Sequence, residues 1–258
     1  MINNLTKNSK WVLSLAFICI FSFTSFTGNR EIGGYVDQAE SRFVRNVWNF
    51  IKNFKTYQNV GAHSYKYTQY FWAEPFQFTG NSHDDYVDSV DLAYVAGHGN
   101  YHYIQTNQSQ GLGVNLKNVP AYGDTGDDLE WLVIESCYTV SSRPEKSNWW
   151  SDYSGMFGGL HQLVGFHTLS WSDNGIPNNF AGKLKSNGAI WQSWFDAVNE
   201  ERYWIFNPNI WDPQYGSDIP FPGLASVIVA NGCTNDRLGS YANDPSPGTG
   251  GMYTYWQY

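Results

Sequence analysis

The chain has 258 residues, enough for one sizeable buried core, and its 42% hydrophobic and 18% aromatic content excludes a largely disordered protein. With 15 basic against 23 acidic residues the net charge is −8, and no basic run occurs, which argues against nucleic acid or anionic lipid as a partner. The 12 Trp and 18 Tyr fit either a heavily packed core or a surface that meets sugars or peptides, and composition does not choose between them.

Residues 1–28 read as a signal peptide. Lys7 and Lys10 form the positive start, Trp11 to Phe23 is apolar but short for a bilayer span, and Thr24, Ser25, Thr27 and Gly28 are small residues suited to cleavage. Removal takes two of the 15 basic residues, leaving 13 against 23 acidic ones, a net charge of −10. The expected location is secreted, periplasmic or cell-surface, with residues 29–258 as a single domain. If the segment stays uncleaved, it is the only expected contact with a membrane. Cys19 falls inside it, so the mature chain keeps Cys137 and Cys233. In an oxidising compartment those two form a possible disulfide.

Phe43, Val47, Phe50, Ile51 and Phe54 recur at helical spacing and predict an amphipathic helix from about Ala39 to Lys55. Residues 61–78 alternate polar and aromatic side chains and predict a half-buried strand. Gly80-Asn-Ser-His-Asp-Asp reads as a turn. Leu92-Ala-Tyr-Val-Ala96 is a short continuous apolar run, as in a strand covered on both faces, and Gly97-His98-Gly99 follows at once. Residues 101–116 predict a hairpin, and the rest of 99–129 a long loop. Trp131 to Ser136 is a second buried strand, ending at Cys137. Gln162 to Leu169 is a third, followed by Ser170-Trp-Ser-Asp173. Helices are predicted over 178–185, stopped by Asn187-Gly188, and over 189–202. Four prolines keep 207–223 irregular, and Leu224 to Ala230 is a last apolar strand before Asn231-Gly-Cys233. Strands separated by helices predict an α/β sandwich with a mainly parallel sheet. In such a sheet ligands gather beyond the carboxyl ends of the strands. His98, Cys137, Trp171 and Cys233 all lie just past expected strand ends.

Nucleophilic catalysis by cysteine needs a thiolate, a group that handles protons, and donors for the oxyanion. Cys137 is the candidate nucleophile and His98 the candidate base. Gly99 allows a sharp turn, and its N–H with that of Cys137 is a candidate oxyanion hole. Cys137 follows His98 by 39 positions, enough for one crossover to a neighbouring strand.

Strand–His-Gly followed by strand–small–Cys resembles the caspase-type cysteine peptidase superfamily, which includes legumains, gingipains, separases and bacterial CHAT domains. Tyr94-Val-Ala-Gly-His98-Gly99 is similar to the histidine motif of gingipains and separases. Ile134-Glu-Ser-Cys137 is similar to the Glu-Ala-Cys of legumains, and Cys137-Tyr-Thr139 to the Cys-x-Thr of CHAT domains. Leu169-Ser-Trp171-Ser-Asp173 resembles the CHAT strand end. The likeness covers about residues 88–201. It implies a caspase-like three-layer sandwich and a His98/Cys137 dyad that cleaves peptide bonds through a thioester, with a peptide or protein as substrate and no cofactor. Trp171 and Asp173 are candidate substrate-binding residues. Two departures stand out: Ser136 replaces the usual alanine, and the glycine common shortly after the cysteine is absent. The pattern also resembles an uncharacterised exported family related to this superfamily.

Each residue has a plainer role open to it. His98 can be structural, and Cys137 can be bridged to Cys233 or inert in the core. His161 and His167 read as satisfied core or rim histidines. Asp173 reads equally as a helix N-cap. His98 and His102 have metal-ligand spacing but no third partner, so no metal site is expected. An inactive caspase-like scaffold that binds peptides or glycans is the alternative to an enzyme.

Overall fold

The computed structural model describes residues 29–37, 40–107, 112–124, 128–142, 147–170, 175–205, 223–245 and 251–257. The expected signal segment, Trp171 and Asp173 lie outside the described residues.

The described chain opens with β1 (Asn29–Val36), a strand that the sequence reading does not anticipate; glycine is a poor strand former. The glycines have a packing role instead. A Cβ on Gly34 would stand 2.7 Å from Val47 Cγ1, so glycine lets helix α1 (Ser41–Ile51) lie close on the strand. Phe43, Val47, Phe50 and Ile51 are buried on one face of α1, as their spacing predicts, and a 3-10 turn adds Phe54. Each such burial contributes roughly 1.5–3 kcal/mol.

Then follow β2 (Gln58–Val60), β3 (His63–Trp72), β4 (Leu92–Ala96), β5 (Gly99–Asn100), β6 (Tyr103–Asn107), β7 (Leu112–Asn115) and β8 (Trp131–Glu135). The remainder is α2 (Trp149–Tyr153), β9 (Gln162–Phe166), α3 (Ile176–Lys185), α4 (Ile190–Ile205), β10 (Ala225–Ala230) and β11 (Met252–Trp256). The Asn187-Gly188 stop forms as predicted: Asn187 takes φ 60° and the Gly188 N–H reaches Lys183 O at 3.0 Å.

The fold is α/β around a large mixed sheet of eight strands, ordered β11-β10-β9-β8-β4-β1-β3-β2. The pairs running from β3 through β1, β4 and β8 to β9 are parallel. β2 on β3, β10 on β9 and β11 on β10 are antiparallel. β5, β6 and β7 form a separate three-stranded sheet. β4, β8 and β9 are buried along their whole length, which is why they read as continuous apolar runs. Alternate side chains face two cores. Leu92, Tyr94, Trp131, Val133 and Val164 join Phe50, Phe180 and Trp194 of the helices. Ala93, Val95, Leu132, Ile134 and Leu163 join Phe78, Tyr122, Tyr153 and Met156 on the opposite face. No described helix is long and apolar enough to cross a membrane.

The parallel strands define two edges. Their carboxyl ends deliver His98 and Cys137. Because β10 runs the other way, its end returns to the amino edge, where Ala230 N–H meets His161 O at 2.9 Å. Cys233 therefore belongs to the amino edge, contrary to the expected convergence with His98.

Candidate active site

β4 and β8 are neighbours in register, with Leu92 opposite Trp131 and Ala96 opposite Glu135. That register is an offset of 39 residues, the same as the separation of His98 and Cys137. Gly97 N–H still reaches Glu135 O at 3.4 Å, so the alignment continues past the strand ends. His98 and Cys137 thus leave adjacent strands, about 4.8 Å apart, at the same level.

The two side chains are held by different partners. His98 Nε2 lies 2.8 Å from Glu40 Oε1, and its ring stands edge-on to Phe43 at 5.0 Å. Its side chain is 36% exposed. Cys137 is half-buried; the Ser170 N–H donates to its sulfur at 3.3 Å, and the Ser170 hydroxyl lies 3.5 Å away. Among the described residues no hydrogen bond joins the Cys137 thiol to His98. The Glu40 contact engages Nε2 and leaves Nδ1 for proton transfer.

Glu40 is a participant that the sequence reading places inside a helix and so overlooks. It is the N-cap of α1, with extended backbone angles, yet its carboxylate makes no cap hydrogen bond. The group turns instead to His98 and to Arg42, forgoing a cap worth about 1 kcal/mol. Partial desolvation pushes the Glu40 carboxyl up, but hydrogen bonds from Arg42 and His98, with their charges, outweigh it and leave the group below its usual range. Ser170, already flagged only as part of a strand end, is the second participant not anticipated.

Gly99 is opposite Ile104, and Gln105 N–H bonds to His98 O at 2.8 Å. In that ladder the Gly99 N–H points away from β6. Among the described residues neither it nor the Cys137 N–H has a hydrogen-bond partner. Gly99 is required sterically as well. A Cβ there would stand 2.0 Å from Ser136 Oγ and 2.7 Å from Thr139 Oγ1. Ser136 Oγ is buried without a hydrogen bond. Immediately after the cysteine, Tyr138 adopts φ 54°, a left-handed conformation that costs a non-glycine residue roughly 1–2 kcal/mol. Its ring packs on exposed Tyr101, with centroids 5.4 Å apart.

Below the edge, buried Glu135 ties the site to the core. Asn46 of α1 donates to its Oε1 at 2.8 Å and Tyr94 O–H to its Oε2 at 2.7 Å. One side chain therefore links α1, β4 and β8, the three elements that carry Glu40, His98 and Cys137.

The possible Cys137–Cys233 disulfide is not formed; both thiols are free. They sit at opposite edges, separated by the length of β8, about 16 Å, whereas a bridge needs Cα atoms within about 7 Å. Burial, then the nearby Asp236 and Asp244, pushes the Cys233 thiol up to about 12. A cavity of about 330 Å³ also lies at the amino edge, lined by residues that include Arg30, Glu130, Tyr241 and Asp244. His167 is satisfied by Gln257 O at 3.0 Å. His102 turns to Asp152, 3.7 Å away, and does not join His98.

No curated protein matches the chain. A family model does match, over residues 32–207, which span β1 to just beyond α4 and include Glu40, His98, Gly99, Cys137 and Ser170. This match takes in more than half of the sequence, and the chain belongs to the family described as Domain of unknown function (DUF6345).

Proposed function

We propose that the protein is an exported cysteine hydrolase of caspase-like, three-layer architecture that cleaves peptide or related acyl bonds. The observation that carries this reading is the register: the spacing of His98 and Cys137 equals the offset of β4 on β8, so both leave adjacent strands at one level. In this mechanism Cys137 attacks the substrate carbonyl carbon while His98 Nδ1 takes the thiol proton. The oxyanion is received by the Gly99 and Cys137 N–H groups. His98 then protonates the leaving amine as the carbon–nitrogen bond breaks, and later activates the water that hydrolyses the thioester. Glu40 orients the ring and stabilises its protonated form, as a carboxylate on a histidine does. Export depends on residues 1–28, and intact-mass measurement of the secreted chain would locate the mature start.

A second reading has its own support. The His98 ring is engaged by Glu40 and the Cys137 thiol by Ser170, an arrangement that also suits an inactive peptide- or glycan-binding scaffold. A substrate-like electrophile tested on wild type, Cys137→Ala and His98→Ala separates the two. The enzyme reading expects labelling of folded wild type at Cys137, none in Cys137→Ala, and a rate lowered about 100-fold in His98→Ala. Absent labelling, or labelling indifferent to both substitutions, overturns it in favour of the scaffold.

A further inference from the structure

The amino-edge cavity, about 330 Å³ in volume, is of the size that takes a small molecule. It lies where the amino ends of three neighbouring strands meet. Arg30 is at the start of β1, Asp91 immediately precedes β4, and Glu130 immediately precedes β8. Arg30 Nη1 pairs with Asp91 Oδ1 at 2.9 Å and stands 3.9 Å from Glu130 Oε1. Asp128, Glu130 and Asp244 line the cavity; among the described residues Arg30 is the single basic side chain in that lining. Since Asp91 already matches Arg30, the lining holds an excess of three acids, and a site of that sign attracts a cation.

The acids are arranged in depth. Glu130 is 6% exposed, whereas Asp128 and Asp244 are exposed and so stand at the mouth. Glu130 Oε2 is buried and makes no hydrogen bond, and the same holds for the Tyr241 hydroxyl beside it. Buried polar atoms without a hydrogen bond are few in native proteins. Burial, then Asp91, pushes the Glu130 carboxyl well above the usual carboxylate range, with Asp244 adding to the rise and Arg30 opposing it. A positive charge in the cavity relieves this crowding. The frame is firm. The Glu130 N–H bonds to Asp91 O at 3.1 Å, and its carbonyl accepts the His161 N–H at 2.9 Å. Gly123 and Gly159 form a wall of closely packed backbone, where a Cβ on Gly159 would stand 1.4 Å from Gly123 O. A single metal ion is not matched. Among the described residues, the acid, histidine and cysteine groups that converge within 4.8 Å lie elsewhere, around His161 and around His83. Acids separated in depth suit a linear molecule with a positive charge at each end.

We propose that this cavity binds a small aliphatic diamine. One ammonium group meets Glu130 and the Tyr241 hydroxyl at the floor, and the other meets Asp128 and Asp244 at the mouth. An ammonium group has only donors to offer, and these partners all present acceptor oxygens. Leu129 and Ala242, also in the lining, flank the methylene chain. The inference stands apart from any chemistry at Cys137.

The test is calorimetric titration of the full, mature chain with butane-1,4-diamine at constant ionic strength. Two further probes are 4-aminobutanoate, which replaces one ammonium by a carboxylate, and calcium chloride. Arg30 Nε, which makes no hydrogen bond, is the group that such a carboxylate would seek. The proposal expects one saturating equivalent of diamine, at least about tenfold weaker binding of 4-aminobutanoate, and no displacement by calcium. Glu130→Gln should weaken diamine binding at least about tenfold. Tyr241→Phe and Asp244→Asn should each weaken it about threefold. These two variants alter a hydroxyl that makes no hydrogen bond and an exposed side chain, so they keep the test decisive even if Glu130→Gln fails to fold. Cys137→Ala should bind as wild type does. Non-saturable binding overturns the proposal in favour of a diffuse counterion effect. Equal or tighter binding of 4-aminobutanoate overturns it in favour of Arg30, and displacement by calcium in favour of a metal. Unchanged affinity in both Tyr241→Phe and Asp244→Asn overturns it as well.

Discussion

The two edges of one sheet each carry an acid, a histidine and a cysteine, in opposite settings. At the carboxyl edge Glu40, His98 and Cys137 lie beside solvent: the histidine and glutamate side chains are 36% and 31% exposed and the thiol is half-buried. At the amino edge Asp236, His161 and Cys233 are sealed, and acids crowd the thiol. A carboxylate on a histidine therefore does not specify chemistry by itself. At the open edge both sulfur and ring are partly exposed to solvent. At the closed edge both are sealed from it. Strand direction sets this difference. Parallel β4 and β8 bring their ends out side by side, whereas antiparallel β10 folds its end back under loops.

Alkylation offers the sharpest way to break the comparison. The Cys233 thiol, pushed up to about 12, holds at pH 8 a thiolate fraction roughly three orders of magnitude below that of an ordinary thiol, before its burial is counted. Iodoacetamide on the folded, reduced chain should therefore modify Cys137 alone, with Cys233 reacting only after denaturation. Peptide mapping by mass spectrometry reads both sites. Equal modification of the two in the native protein would erase the distinction between open and closed edges.

Two glycines near the sheet ends differ in how tightly they are packed. Gly99→Ala puts a methyl group 2.0 Å from Ser136 Oγ, 2.7 Å from Thr139 Oγ1 and 2.8 Å from Tyr103 O, contacts that cannot all relax. Overpacking of this kind costs about 1–3 kcal/mol and should lower the melting temperature by several degrees. Gly251, next to β11 at the amino edge, has nothing within 4 Å of an added Cβ, so Gly251→Ala should leave the melting curve unchanged. Gly99→Ala/Ser136→Ala should recover part of the loss, since the Thr139 and Tyr103 contacts remain. Equal melting of the two single variants would remove the steric account of Gly99.

How much of this is legible in the sequence follows from where the information is local. β4, β8 and β9 are buried on both faces, so their apolar runs speak for themselves, and His98 and Cys137 sit directly at their ends. The register of 39 is also written in the chain, but only knowing that β4 and β8 are neighbours gives it meaning. β1 is hidden because glycine is a poor strand former, and its reason for glycine, the approach of Val47 and Ile51, is a tertiary contact. Glu40 is hidden because acids near a helix start are common and usually cap or face solvent. Its turn toward His98 follows from α1 packing across β4, 58 positions away. The grouping of Cys233 with His98 fails for a single reason: strand direction is invisible in an apolar run such as Leu224 to Ala230.

Glu40 gives the smallest expected effect and tests whether the carboxylate at the open edge positions the histidine or merely sits beside it. The folded Glu40 carboxyl lies below its unfolded value, so its ionised form is favoured by folding. The contribution is thus present above the ordinary carboxylate range and is lost as pH falls through the lowered folded value. The group is about a third exposed, so the effect on stability is small and screened by salt. Glu40→Gln should accordingly melt within about a degree of wild type at pH 7. The amide still presents an oxygen that can accept from the ring, but it carries no charge to stabilise a protonated His98. Cys137 labelling by a substrate-like electrophile should slow by a few-fold. Glu40→Asp keeps the charge and should restore part of that rate, limited by its shorter reach. A labelling rate identical in wild type and Glu40→Gln would leave the carboxylate with no part in the chemistry, and the open edge would then differ from the closed one in access alone.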